Sequence, residues 1–245
     1  MASSSKARQS RREQLEAQRL AQAAKERRLR IMLVVGGVLI LVLVIALALW
    51  GISSATPKSG TATPPNANSS RNGLYVAPPT KDAPLLEEFQ SYTCANCKLA
   101  SIALGPTIQQ AIADGKVNVV VHTINQTTEA RSAAMAAVCA DFVGKFSDYN
   151  KQLFLSQDTN FDATTLRETI PDTVGIYQTD LTTFQACVDA GDTAGFVDAM
   201  DAYGSKQGVV QYPTFRLNGE DITEQLVNKD TMSYDPELLR TLLGM

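Results

Sequence analysis

Cys94 and Cys97 are the chain's one close pair of nucleophilic side chains, in the run Cys94-Ala95-Asn96-Cys97. A dithiol at this spacing can cycle between thiol and disulfide, supply half of a metal site, or serve as a structural cross-link. The metal reading lacks partners. The other cysteines are Cys139 and Cys187, and there is no second C-x-x-C, whereas a closed four-cysteine zinc site draws on two tight pairs. A cross-link over so short a loop constrains little chain. Redox chemistry fits the pair best, and it makes a positional demand. The unpaired N–H groups and positive dipole end of a helix's first turn stabilise a thiolate. They can lower a cysteine pKa from about 8.5 into the range of roughly 3.5–7.5. In that setting Cys94 is the exposed nucleophile and Cys97, one turn into the helix, is the shielded thiol that resolves a mixed disulfide.

The surrounding pattern supplies such a helix. A strand-like run, Leu85–Phe89, leads into the pair. Apolar residues then recur at helical spacing, at Leu99, Ile102, Ala103, Ile108, Ala111 and Ile112, until Asp114-Gly115 ends the run. Leu74–Val76 is a short strand candidate, and the β-branched stretch Val117–Val121 reads as a buried strand. The order β–α–β predicts a parallel pair. From about Thr127 to Gln207 the pattern turns helical, with predicted helices at 129–146, 149–156, 164–169, 181–191 and 193–207. Cys139 and Cys187 fall on two of these. In an oxidising compartment the simplest reading joins them in a disulfide. A second electron-relay pair is the alternative, disfavoured because neither cysteine begins a helix. The chain then returns to β structure. Tyr212–Leu217, Asn218-Gly219 and Glu220–Ile222 read as strand, turn, strand. Pro213 belongs at the strand entry, having no N–H for a ladder. A last helix, Asp235–Leu243, has an Asp N-cap and Pro236 at its first position.

Charge is distributed unevenly along the 245 residues. The first thirty carry nine Lys/Arg against three Glu, a balance of +6, which leaves −9 on the rest of a chain whose net charge is −3. Residues Ile31–Trp50 are twenty consecutive uncharged, mostly apolar positions. As a helix they span about 30 Å, the thickness of a bilayer's hydrocarbon. Basic residues flank only the N-terminal side, which predicts a cytoplasmic N-terminus and an extracytoplasmic remainder. A cleaved signal peptide is the competing reading, but both the basic region and the apolar run are long for one. The asymmetry points to a membrane and not to nucleic acid. Residues 51–73, rich in Ser, Thr, Pro, Ala and Asn, read as a flexible linker, followed by one domain over 74–245. The only histidine, His122, sits at a strand end and reads as a surface or satisfied core residue.

Taken together, these stretches resemble the DsbA-like thiol–disulfide oxidoreductases of the thioredoxin fold, over about residues 74–245. Glu88-Phe89, Tyr92, Cys94 and Cys97 are similar to that family's active-site run. Tyr149 to Phe154 with Gln157 resembles a stretch of its helical insert, and Gly208, Pro213-Thr214-Phe215 and Asn218-Gly219 its proline loop and hairpin. The anchor and the extra pair Cys139/Cys187 resemble membrane-tethered actinobacterial members. The resemblance implies an α/β thioredoxin fold with a helical insert at about 127–207, preceded by one transmembrane helix. It implies catalysis by Cys94 and Cys97, a cis bond before Pro213, and substrate backbone pairing at Tyr212. Glu88 becomes a buried carboxylate that carries the proton of Cys97. Implied partners are reduced secreted or cell-envelope proteins and a membrane re-oxidant of the DsbB or VKOR kind; no cofactor or metal is implied. A reductase or isomerase on the same scaffold, or a binding module with a structural Cys94–Cys97 bond, are the alternatives. Two departures stand out. Ala95-Asn96 replaces the family's Pro-His, which predicts a less stabilised Cys94 thiolate, and Gln211-Tyr212 precedes the proline, which reshapes the substrate groove.

Overall fold

Strand β2 (Leu85–Gln90) lies at the centre of a five-stranded sheet, and the architecture follows from what covers its two faces. The computed structural model describes residues 60–245, which lie within one of the chain's two compact units, Pro57–Met245. The basic segment 1–30, the candidate span 31–50 and the linker as far as residue 59 lie outside the described residues. Among the described residues no helix is long and apolar enough to cross a membrane.

The sheet order is β1 (Leu74–Tyr75), β3 (Asn118–Thr123), β2, β4 (Thr214–Leu217) and β5 (Glu220–Asp221). β2 and β3 run parallel, Glu88 opposite Val121, and the other pairings are antiparallel. Helix α1 (Ala95–Ala113) makes the crossover between β2 and β3. It ends at Asp114, followed by Gly115 at a φ of +64°, which only a glycine adopts without strain. Side chains alternate along β2. Leu86 joins Ala100, Leu104 and Ile108 of α1 with Val119, Phe215 and Leu239 in one core, while Phe89 meets Ile124 and Val209 in a second core on the opposite face. Helix α7 (Pro236–Leu242), capped by Asp235 through the Glu237 N–H at 2.9 Å, closes the α1 side.

Between β3 and β4 stands the helical insert: α2 (Thr128–Asp141), α3 (Phe146–Leu155), a wide-turned helical stretch Thr165–Thr169 continuing as α4 (Ile170–Val174), α5 (Gln178–Ala190) and α6 (Ala194–Lys206). Helix α2 is buried nearly all round, with alanines at 130, 133, 134, 136, 137 and 140. A helix that is apolar on every side belongs in the middle of a bundle, and small side chains let its neighbours approach. The insert's core runs without a break to Tyr92, Cys97 and Val121, so it forms a wall of the dithiol site.

Four sequence expectations need correction. The single helix predicted over 129–146 ends at Asp141. Gly144 takes a φ of +68°, and the chain restarts as α3 at Phe146. Helix α5 begins at Gln178, three residues before the predicted start. A short pairing of β6 (Val227–Asn228) with β7 (Ser233–Tyr234) was not expected, because two-residue strands carry no periodicity. The described part of the linker, residues 60–73, packs on the domain. Asn66 donates from its backbone and side-chain nitrogens to both carboxylate oxygens of Asp141, at 2.8 and 2.7 Å. Ala62 and Gly60 bond to Asp192 and Gly195, and Ala67 bridges to Leu74. Composition cannot register such contacts, since Asp141 stands 75 residues from Asn66 in sequence and Asp192 and Gly195 stand further still from their partners.

Candidate active site

The strand-to-helix turn places Cys94 as the N-cap of α1, with extended backbone angles. Its sulfur accepts the Cys97 N–H at 3.1 Å, one of the donors that a helix start leaves free. Cys94 is partly exposed and Cys97 is buried, and both are free thiols. The Cys97 thiol, and then the backbone N–H groups of Cys97 and Asn96, hold the Cys94 pKa down to about 6 against the opposing effect of its partial burial. The same hydrogen bond from the other side, together with burial, pushes Cys97 far up. One thiol is therefore an anion at neutral pH and the other keeps its proton. A nucleophile paired with a protonated resolving thiol is the requirement of thiol–disulfide exchange.

The loop before β4 supplies the facing wall. The Tyr212–Pro213 peptide is cis. The Tyr212 carbonyl oxygen lies 3.5 Å from the Cys94 sulfur, a hydrogen bond open to the protonated thiol and lost in the thiolate, and Tyr212 itself is partly exposed beside the dithiol.

Glu88 and Glu87 point to opposite faces of β2. Glu88 faces α1 and lines a cavity of about 380 Å³ together with Cys97, Pro213 and Phe215. Its Oε1 is sealed from solvent and has no hydrogen-bond partner. Burial pushes its pKa up to about 7. Glu87 faces α6, where one carboxylate oxygen meets two partners. Its Oε1 accepts the Tyr203 hydroxyl at 3.1 Å and lies 3.2 Å from His122 Nε2. The hydrogen bond from His122 holds its carboxyl below the usual carboxylate range, against the pull of burial. His122 is buried, stacked on Phe89 at 4.6 Å, with Nδ1 against the Asn72 carbonyl at 2.6 Å. It is a satisfied core residue on the face away from the cysteines.

Cys139 and Cys187 form a disulfide between α2 and α5, within the insert and separate from the dithiol.

Sequence reasoning assigned no role to Gln157, which follows α3. Its side-chain amide donates to the carbonyls of Tyr92 at 2.7 Å and Cys94 at 3.0 Å, fixing the turn that carries the nucleophile. Asn150 does similar work one layer deeper, where its Oδ1 accepts the Tyr92 hydroxyl and the Gln90 amide at 2.7 and 2.6 Å. The signal for Gln157 lay in the insert stretch it shares with the resembled family. Among the described residues no group of three or more His, Cys, Asp or Glu side chains is placed to hold a metal ion.

No curated protein matches the chain in sequence. Solved structures share its fold. MdbA, a thiol–disulfide oxidoreductase from Actinomyces oris, is 18% identical with a TM-score of 0.63, over 78% of this chain and 95% of that one. BdbD from Bacillus subtilis is 20% identical with a TM-score of 0.56, over 77% and 97%. MdbA from Corynebacterium diphtheriae is 16% identical with a TM-score of 0.55, over 69% and 92%. The thioredoxin family description matches residues 80–234, well over half of the chain. With the sheet, the capped C-x-x-C helix and the cis-proline loop in place, the chain belongs to the thioredoxin family.

Proposed function

We propose that this protein is a membrane-tethered, extracytoplasmic dithiol–disulfide oxidoreductase that forms disulfides in secreted chains. The observation that carries this reading is the asymmetry of the pair. Cys94 is partly exposed, hydrogen-bonded as a thiolate and held near pKa 6, while Cys97 is buried and protonated. In the oxidised state a client thiolate attacks the Cys94 sulfur and Cys97 leaves as the thiolate, taking up a proton. A second client thiolate then attacks the client's own sulfur in the mixed disulfide and releases Cys94. The client loses two electrons and two protons; the dithiol gains the electrons and one proton, at Cys97, while Cys94 leaves as a thiolate and the second proton passes to solvent. Glu88, lining the cavity beside Cys97, is the group placed to pass the resolving proton. A client segment pairs with the backbone at Tyr212 as a short added strand.

A stabilised Cys94 thiolate favours the reduced dithiol and so makes the disulfide oxidising. Asn96, in place of an imidazole, contributes only its backbone N–H. We therefore expect a potential between the roughly −270 mV of thioredoxin and the roughly −120 mV of the strongest oxidants. A DsbB-like or VKOR-like membrane oxidase would restore the disulfide. The apolar run Ile31–Trp50 would hold both in one plane at high effective concentration. The test is equilibration of the full chain with glutathione redox buffers, read by thiol alkylation. Alkylation of Cys94 is expected to be half-maximal near pH 6. A potential near −270 mV would remove the oxidative reading in favour of a reductase.

A further inference from the structure

The 380 Å³ cavity between α1, α3 and the sheet is larger than proton transfer alone requires, and it falls within the range of binding pockets. Its α1 wall contains Gly105 followed by Pro106, mid-helix. Both residues disfavour a helix interior. Neither packing nor backbone geometry calls for this glycine, since a Cβ at 105 would meet nothing within 4 Å. What the missing side chain leaves is open space. The exposed part of the lining mixes apolar side chains with Gln109 and Lys151. Ile102 on α1 and Leu155 at the end of α3 both line the cavity and are 52% and 46% exposed, and Leu99, one turn before, is 58% exposed. Glu88 and Asn150 add polar groups to the lining. A pocket with apolar and hydrogen-bonding groups in its lining suits a side chain of the same design, an aromatic ring with a polar tip.

Resting on the oxidoreductase reading above, we infer that this cavity is a specificity subsite that takes a tyrosine or tryptophan side chain of the client polypeptide. Continuity with the reacting atoms selects this occupant. Cys97 and Pro213 are in the cavity wall. A client joined to Cys94 and running past Tyr212 is therefore beside the opening, and a side chain near its reacting cysteine can enter. The ring covers the exposed faces of Ile102 and Leu155, and its O–H or N–H meets the Glu88 carboxyl. Clients whose cysteines neighbour such residues are oxidised in preference to others.

The experiment uses the full chain in detergent, with oxidised glutathione as the terminal oxidant, and reduced two-cysteine peptides of one length. Tyr, Trp, Phe or Ala is placed in turn at each of the three positions on either side of the first cysteine. At the best position the KM for the Tyr and Trp peptides is expected to fall at least roughly tenfold below that for Ala, with Phe between them. Gly105→Leu fills the cavity and should bring the Tyr-to-Ala ratio close to one. Glu88→Gln should narrow the gap between Tyr and Phe. If Gly105→Leu does not fold by circular dichroism, Leu155→Ser at the rim takes its place, and should raise KM for the Tyr peptide more than for the Ala peptide. Equal KM values for all peptides, or a Tyr preference that survives the filled cavity, would overturn the subsite. If the wild-type chain exchanges with glutathione and yet shows no preference, only the subsite falls. If it does not exchange at all, the proposed function falls with it.

Discussion

Glu87 and Glu88 are adjacent on one strand, carry the same charge and have opposite circumstances. Glu87 meets His122 and Tyr203 and is held as a carboxylate. Glu88 has a dry oxygen with no partner and is held near pKa 7. On the face of the sheet turned to α6, the carboxylate of Glu87 is paired with His122 and Tyr203. The face turned to α1 leaves a polar group unsatisfied beside a reactive thiol, a cost that a fold tolerates where chemistry needs it.

The largest expected effect is on the face of Glu87. His122→Ala removes a buried ring stacked on Phe89 and tilted against Tyr203 and should cost about 3–5 kcal/mol in denaturant unfolding, like other buried aromatic truncations. A cost below about 1 kcal/mol would mean that this ring does not stabilise the fold. Next in size is Glu88→Gln. Glu88 has a folded pKa raised from 4.5 to about 7, so the folded state binds the extra proton between those values and wild-type stability falls as pH rises through that window. The variant should gain on wild type by up to about 3 kcal/mol at pH 8 and by nothing below about pH 4.5. Thermal melts across pH read this directly, and a flat difference would remove the neutral-acid assignment. Glu87→Gln should give the opposite slope. Its depressed pKa adds stability above the unfolded value that is lost as pH falls through the folded one. The variant should therefore be weaker by about 1–2 kcal/mol at pH 7, with the deficit shrinking in acid. The smallest effect is expected at Gln157→Ala, about 1 kcal/mol of stability, with a few-fold slower exchange at Cys94. Unchanged exchange would show that the loop holds its shape without the amide.

Much of this contrast was hidden from the sequence. Strand β2, the capped helix and the β4–β5 hairpin were legible because each has a local signature: alternating apolar positions, cysteines at a helix start, and Asn218-Gly219 at a two-residue turn where both φ values are positive. The break after Asp141 was missed because a run of alanines continues to read as helix until Gly144. Cys94 and Cys97 stood out by spacing. Alternation set Glu87 and Glu88 on opposite faces without saying what covers each one, and only the family resemblance pointed to Glu88 as the buried carboxylate. Gln157, Asn150 and His122 take their roles from partners tens of residues away, and no local pattern encodes those distances.

The segment 60–67 has a mechanical consequence. It is fastened to the insert, through Gly60 with Gly195, Ala62 with Asp192 and Asn66 with Asp141. Tension arriving along the N-terminal chain therefore loads these bonds first, at the ends of α2, α5 and α6. α5 and α2 are themselves riveted together by Cys139–Cys187. The pull is spread through a cross-linked bundle before it can reach strand β1, and the geometry around Cys94 is insulated from any force applied at residue 60.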